Sequence, residues 1–279
     1  NPLRHLLHQR NPVLASVAAE PSKWIYGGFA LEYRGWVTGV PRPPDVCARD
    51  VELVRLALTG EGVDVALLDV ERLADIESTA ARYLTPLERE EYAGLRLETR
   101  RREWLAARVC LKTMLLERRC VSDPTRCAIV KDAAGRPRLV FAEPPAESVH
   151  DCSLSHKGRF ACAGASRLAA TRLGVDIEEI SPRLLRIERA FAGDRDRPFR
   201  ARPPQERLAL LWALKEACAK AVGSGLGFAM GALSCEEPEE GRHHVRTEDG
   251  RQFRGRHVVH HGYVVALCLT EDEPCAGVE

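Results

Sequence analysis

The alternation of apolar and polar positions is clearest from residue 63 onward. "DVALLDV" (64–70) is an apolar run between polar flanks and predicts a strand. "LTPLEREEYAGL" (84–95) opens a helix, with Thr85 as N-cap and Pro86 at the first helical position. Residues 100–119 predict a long helix carrying Trp104, Leu105, Val109, Leu111 and Leu115. In "CAIVKDAAGRPRLV" (127–140) a polar, turn-rich centre between apolar flanks predicts a hairpin. Strands follow in 153–166 and in "GVDIEEI" (174–180). "ERLALLWALKEACAKAV" (206–222) is a second long helix that stops at Gly223, as helix C-termini do. "RGRHVVHHGYVVALCL" (254–269) predicts two antiparallel strands.

The order strands, long helix, strands thus occurs twice, over 63–172 and 173–279. Each long helix sets a tryptophan beside charge: Trp104 with Arg108, and Trp212 with Lys215 and Glu216. This pattern predicts an α+β fold of two pseudo-duplicated halves, each a small antiparallel sheet packed with a long helix. Residues 1–62 are proline-marked ("GVPRPPDV", 39–46) and weakly patterned, which predicts an extension or linker.

Composition narrows the class. The chain has 279 residues, 45% hydrophobic and 29% charged, with net charge +1 at pH 7. That is ordinary for a globular protein and gives no electrostatic case for nucleic acid. The longest apolar runs, such as "YVVALCL" (263–269), are too short to span a bilayer, so no membrane is expected. Ten cysteines are scattered without a close pair, and several lie inside apolar runs. Cysteines of that kind behave as small hydrophobes, which predicts a reduced, cytoplasmic protein.

The chemistry gathers in two segments. On a strand, residues two apart share a face, so Asp176 and Glu178 point together, opposite Val175 and Ile177. Two close carboxylates repel by roughly 4 kcal/mol at an effective dielectric near 20. A solvated edge strand, a proton or a cation between them would relieve this. On the helix 206–222, Leu210, Leu214, Ala217 and Ala221 form one stripe, while Trp212, Glu216 and Lys220 recur on another face. Glu216 and Lys220 could be a plain i,i+4 pair. They could equally give a third carboxylate for a hard cation such as Mg²⁺ and an ammonium facing the same phosphates. Ser155 and His156 in "SLSH" add a hydroxyl and an imidazole near a strand end.

Taken in order, "GRP" (135–137), "SLSHKG" (153–158), "GVDIEEI" (174–180) and "WALKEACAKAVGSGL" (212–226) resemble the motifs of the 4'-phosphopantetheinyl transferases of the surfactin-synthetase-activating, two-half monomeric type. The resemblance covers about 64–270. It implies an active site in the cleft between the halves, with the coenzyme A nucleotide on the first half and the metal on the second. It also implies Mg²⁺-dependent transfer of the phosphopantetheine arm of coenzyme A to a serine of an apo acyl or peptidyl carrier protein, with release of 3',5'-ADP. By position, Asp176, Glu178 and Glu216 match metal ligands, Glu216 the base and Lys220 the pyrophosphate contact. Ser155 and His156 match contacts to the 3'-phosphate and nearby oxygens. Gly135, Arg136 and Pro137 match the loop on the adenine, where Arg136 could stack or reach phosphate.

The sequence departs from the family in two places. Glu88 and Glu91 stand where some members carry phosphate-binding lysines, so Arg102 and Arg108 are expected to take that role. "AFAGDRDRPFRARPP" (190–204) lacks a clear match, which leaves Asp194 and Asp196 without a role. The eight arginines between Arg183 and Arg207 predict the docking surface for an acidic carrier, with Phe191 or Phe199 as apolar anchor. A monomer is expected, or a domain of a larger synthase, since the chain does not begin with Met. Two other readings use the same residues: a non-catalytic coenzyme A- or nucleotide-binding module, and a metal-dependent phosphohydrolase.

Overall fold

In the computed structural model the fold is α+β, with antiparallel sheets and long helices in separate layers. The structure describes residues 22–26, 29–33, 51–58, 62–73, 75–196, 199, 202–223 and 230–270. Thirteen strands are described: β1 (Ser22–Tyr26), β2 (Phe29–Tyr33), β3 (Val54–Arg55), β4 (Val63–Asp69), β5 (Cys127–Lys131), β6 (Pro137–Phe141), β7 (Asp151–Lys157), β8 (Phe160–Ser166), β9 (Leu173–Glu179), β10 (Ser234–Glu239), β11 (Arg242–Arg246), β12 (Gln252–His260) and β13 (Tyr263–Thr270). Five α-helices accompany them: α1 (Ile76–Tyr83), α2 (Pro86–Ala93), α3 (Glu98–Glu117), α4 (Arg183–Ile187) and α5 (Pro204–Val222).

Period-two alternation builds the layers. On β4 and β8, Ala66, Leu68, Ala161, Ala163 and Ala165 pack under α3. Their neighbours Val65, Leu67 and Cys162 face the other way, against Leu173, Val175, Ile177, Val265 and Leu267 of β9 and β13. The remaining face of β13, with Val264, Ala266 and Cys268, packs under α5. The order of layers is therefore α3, sheet β3-β4-β8-β7, sheet β10-β11-β12-β13-β9, α5. The two sheets differ in strand number and order, so the likeness between the halves is confined to a long helix lying on an antiparallel sheet.

The helix starts and stops are local chemistry. Thr85 and Glu88 form a capping box at the start of α2, with Pro86 at its first position. Gly223 closes α5 in the left-handed conformation (φ 82°). The eight described cysteines are all free and buried. Among the described residues no helix is long and apolar enough to cross a membrane.

Three expectations need correction. The stretch before residue 63 is not wholly an extension: β3 pairs with β4, Leu56 and Leu58 are buried in the sheet–sheet core, and β1 pairs with β6 in a sheet of order β2-β1-β6-β5. α5 is more enclosed than its apolar stripe alone implies: between Leu208 and Ala221 only Trp212, Glu216 and Lys220, the three of its second face, are not buried. The arginine-rich segment contains α4, and three of its described arginines have acidic partners, of which only the Arg202 pair is largely buried. Arg202 forms a double hydrogen bond with Glu237 (2.7 and 2.6 Å), Arg207 pairs with Glu188, and Arg195 with Glu248. Arg197 and Arg200 lie outside the described residues.

Candidate active site

The site is assembled where α5 crosses β9, and Gly174 permits the crossing. A Cβ at Gly174 would sit 1.9 Å from the Ala217 carbonyl oxygen and 2.7 Å from the Ala221 nitrogen. Helix backbone thus lies directly on strand backbone. Asp176 and Glu178 share the parity of Gly174, and both are buried on this face (5% and 8% exposed). The strand is therefore not a solvated edge, and its acids need internal partners.

β7 supplies one set of partners. Its side chains at every second position stitch it to the free edge of β9. Asp151 Oδ2 accepts from the Leu173 N–H (2.8 Å), and Ser153 Oγ accepts from the Val175 N–H (3.0 Å). Ser155 Oγ donates to Asp176 Oδ1 (2.8 Å), and Lys157 Nζ pairs with Glu178 Oε2 (2.7 Å). α5 supplies the other set, with Lys220 Nζ donating to Asp176 Oδ1 (2.7 Å) and to the Val175 carbonyl (3.0 Å). The buried Asp176 Oδ2 has no hydrogen-bond partner. Glu216 is the one acid of the three without a lysine partner among the described residues. Burial, and then the Asp176 charge, raises both Glu178 and Glu216 above the ordinary carboxylate range.

The structure therefore brings Asp176, Glu178, Glu216, Ser155 and Lys220 together, with Lys157 added. As arranged, two of the acids are held by lysines, and among the described residues no three His, Cys, Asp or Glu side chains surround a common metal position. The donor chemistry nonetheless fits a hard divalent cation, because the three carboxylates lie near enough for the Asp176 charge to add to burial in raising the other two, and one buried Asp176 oxygen is unclaimed.

His156 has the opposite parity and faces α3. Arg100 can only donate, so its 2.6 Å contact makes His156 Nε2 the acceptor and leaves Nδ1–H toward Glu103 Oε2 (3.4 Å). Burial, then Arg100, Lys220 and Lys157, lowers this imidazole to about 4, and it is neutral at pH 7. Arg100 is thus the cation at this position.

Three expected nucleotide ligands are occupied elsewhere. Arg136 is 5% exposed. It binds both Asp151 oxygens (2.8 and 2.6 Å), the Ala221 carbonyl (2.6 Å) and the Lys220 carbonyl. It braces the C-terminus of α5 against β7 and cannot stack on adenine from there. Arg108 is buried over the Trp104 ring (3.3 Å to the centroid) near Glu91 (3.4 Å) and Glu88 (3.8 Å), and burial lowers it to about 10. Arg102 donates to the Leu73 carbonyl (2.7 Å) and pairs with Glu98. Gly135 holds the β5–β6 turn with φ 84°, and Pro137 begins β6.

Two further acids, one in each half, are structural. Glu88 accepts from Lys112 Nζ (2.5 Å) and from the Ile129 N–H (3.1 Å). Asp196, without a role in the sequence reading, accepts from buried Lys215 (2.8 Å) and from the Cys235 N–H (3.0 Å). Phe191 is 1% exposed and packs edge-on against Trp212, so it is no docking anchor.

The comparisons bear on the same segments. A family model described as the 4'-phosphopantetheinyl transferase superfamily matches residues 172–268, the stretch holding β9, α5 and all three acids. The match takes in about a third of the chain, which is similar to that superfamily over the segment that carries the candidate site. A 4'-phosphopantetheinyl transferase of Bacillus subtilis is 26% identical over 164 residues, 56% of this chain and 69% of that protein. Another, from Bacillus pumilus, is 31% identical over 125 residues, and the chain spans about half of its length (51%). A phosphopantetheinyl transferase of Thraustochytrium is 27% identical over 236 residues, 77% of each chain.

Lys157, Arg100 and Gly174 are not among the site residues that the sequence motifs single out. The signal for Lys157 was present, because Asp151, Ser153, Ser155 and Lys157 occupy alternate positions and share a face.

Proposed function

We propose that the protein transfers the 4'-phosphopantetheine arm of coenzyme A to a serine hydroxyl of an apo acyl or peptidyl carrier protein, releasing 3',5'-ADP. The observation that carries this reading is the cluster at the α5–β9 crossing, where three acids and two lysines meet around an unclaimed buried oxygen. Asp176, Glu178 and Glu216 would hold Mg²⁺, which when bound neutralises charge on the diphosphate.

In this reading Glu216 takes the serine proton, directly or through one water. Its raised pKa suits that task, and it has no lysine to release first. The serine oxygen forms the new P–O bond to the β-phosphorus, and the bond to the 3',5'-ADP oxygen breaks with its electron pair. Lys220 holds the diphosphate, its position fixed by the Val175 carbonyl. Ser155 orients Asp176, and Arg100, held against His156, offers its guanidinium to the 3'-phosphate. The exposed face of α4 and the arginines around it would meet the carrier.

The test is incubation with coenzyme A, Mg²⁺ and an apo carrier protein, read by intact mass. A carrier gain of one phosphopantetheine group, abolished in Asp176→Ala and Glu216→Ala, supports the reading. Release of 3',5'-ADP with no carrier gain would assign hydrolysis instead.

A further inference from the structure

We propose that Lys157 is a substrate-binding residue, a second ammonium that takes the anionic diphosphate from the side of the acids opposite Lys220. The inference rests on the transferase reading and deepens it. Lys157 lies on the same face of β7 as Ser155, and its pairing with Glu178 places it within the acid cluster. Its side chain is 33% exposed, so the ammonium reaches both the buried acids and solvent.

The turn that carries Lys157 is pinned from two sides. A Cβ at Gly158 would lie 2.8 Å from the Tyr263 hydroxyl, so β13 caps the turn, and the Tyr263 oxygen accepts from the Arg159 N–H (3.4 Å). Asp69 at the end of β4 holds the Arg159 guanidinium (2.6 and 3.0 Å). A lysine that only neutralised Glu178 would not need its backbone locked between two sheets. Fixing it lowers the ordering cost of binding a ligand.

Charge gives the second argument. When ionised, the three acids exceed the two lysines by one negative charge, and a divalent cation turns the cluster net positive by one. Without Lys157 the cation-loaded cluster would be formally neutral, and the diphosphate would lose one of its counter-charges. Glu178, if it held the cation, would leave the Lys157 ammonium to a phosphate oxygen nearby.

Equilibrium binding of coenzyme A and of 3',5'-ADP tests this, by calorimetry, in EDTA and in Mg²⁺. Lys157→Ala should weaken binding by about tenfold or more, the lower end for a charge-assisted hydrogen bond. Lys157→Arg should recover most of it. The loss should persist when Lys157→Ala is placed in a Glu178→Gln background, where the carboxylate paired with Lys157 is gone. Unchanged affinity in Lys157→Ala, or a loss that vanishes in the Glu178→Gln background, overturns the proposal. Wild-type protein that binds neither ligand would overturn the transferase reading itself.

Discussion

Replacing Gly174 by alanine tests the crossing on which the site depends. Real Cβ atoms essentially never come within 3.0 Å of such neighbours, and this one would start 1.9 Å from the Ala217 carbonyl oxygen. Strand and helix must therefore separate by about 1.1 Å. Both atoms nearest the intruding methyl are main-chain atoms, so no rotamer change relieves the contact, and trimming Ala217 to glycine cannot rescue it. A retreat of that size takes the 2.7 Å Lys220–Asp176 bond beyond hydrogen-bonding range and carries Glu216 with it. Misplacement of catalytic groups by about 1 Å costs roughly a hundredfold in rate. Overpacking costs about 1–3 kcal/mol, and each kcal/mol is about 2–4 °C in Tm for a chain of this size. The expected variant is folded, with far-UV circular dichroism like the parent, a Tm lower by several degrees and a kcat for carrier modification down about a hundredfold. A Gly174→Ala protein with unchanged Tm and kcat within twofold would refute the close crossing.

Two further predictions concern charge inside the fold. Arg136→Met leaves buried Asp151 with only the longer Arg138 contact (3.8 Å) and should cost about 3 kcal/mol in urea unfolding, whereas an arginine serving only coenzyme A would leave stability unchanged. His243 is 0% exposed, hydrogen-bonded to His257 Nδ1 (2.8 Å), and lowered to about 3 by burial and then by His257. The unfolded chain takes up that proton near pH 6.5 while the folded chain resists it. Its stabilising contribution is thus complete above pH 6.5 and is lost as pH falls toward 3, with a slope of at most about 1.4 kcal/mol per pH unit. His243→Phe should flatten the urea-midpoint profile between pH 7 and 5, and an unaltered slope would contradict the assignment.

The division between what could be read from the sequence and what could not follows the range of the interactions. The capping box at Thr85, the β5–β6 turn and the end of α5 at Gly223 are set by neighbours a few residues apart, and local patterns announced them. β10 and β11 lack a readable pattern because Pro238 interrupts the first and charged residues stud both, one of them, Glu237, turning inward with Cys235, His243 and Val245. The same rule runs through the site. Asp176 and Glu178 were paired correctly because strand parity is local. Arg136 and Arg108 were assigned outward, toward a ligand, because an arginine in a motif looks the same whether its partner is a phosphate or a buried carboxylate. The partners that decide the matter are Asp151 and the α5 carbonyls in one case, Trp104, Glu88 and Glu91 in the other. Some of these are near in sequence, yet only the fold shows that the two arginines are buried against them. Applied to β7, parity alone would have placed Lys157 beside Ser155 facing the acids. Two readings of "GVDIEEI" thereby come together: the acids face inward on one side of a buried strand, and each lysine that meets them arrives from a different neighbour, one from β7 and one from α5.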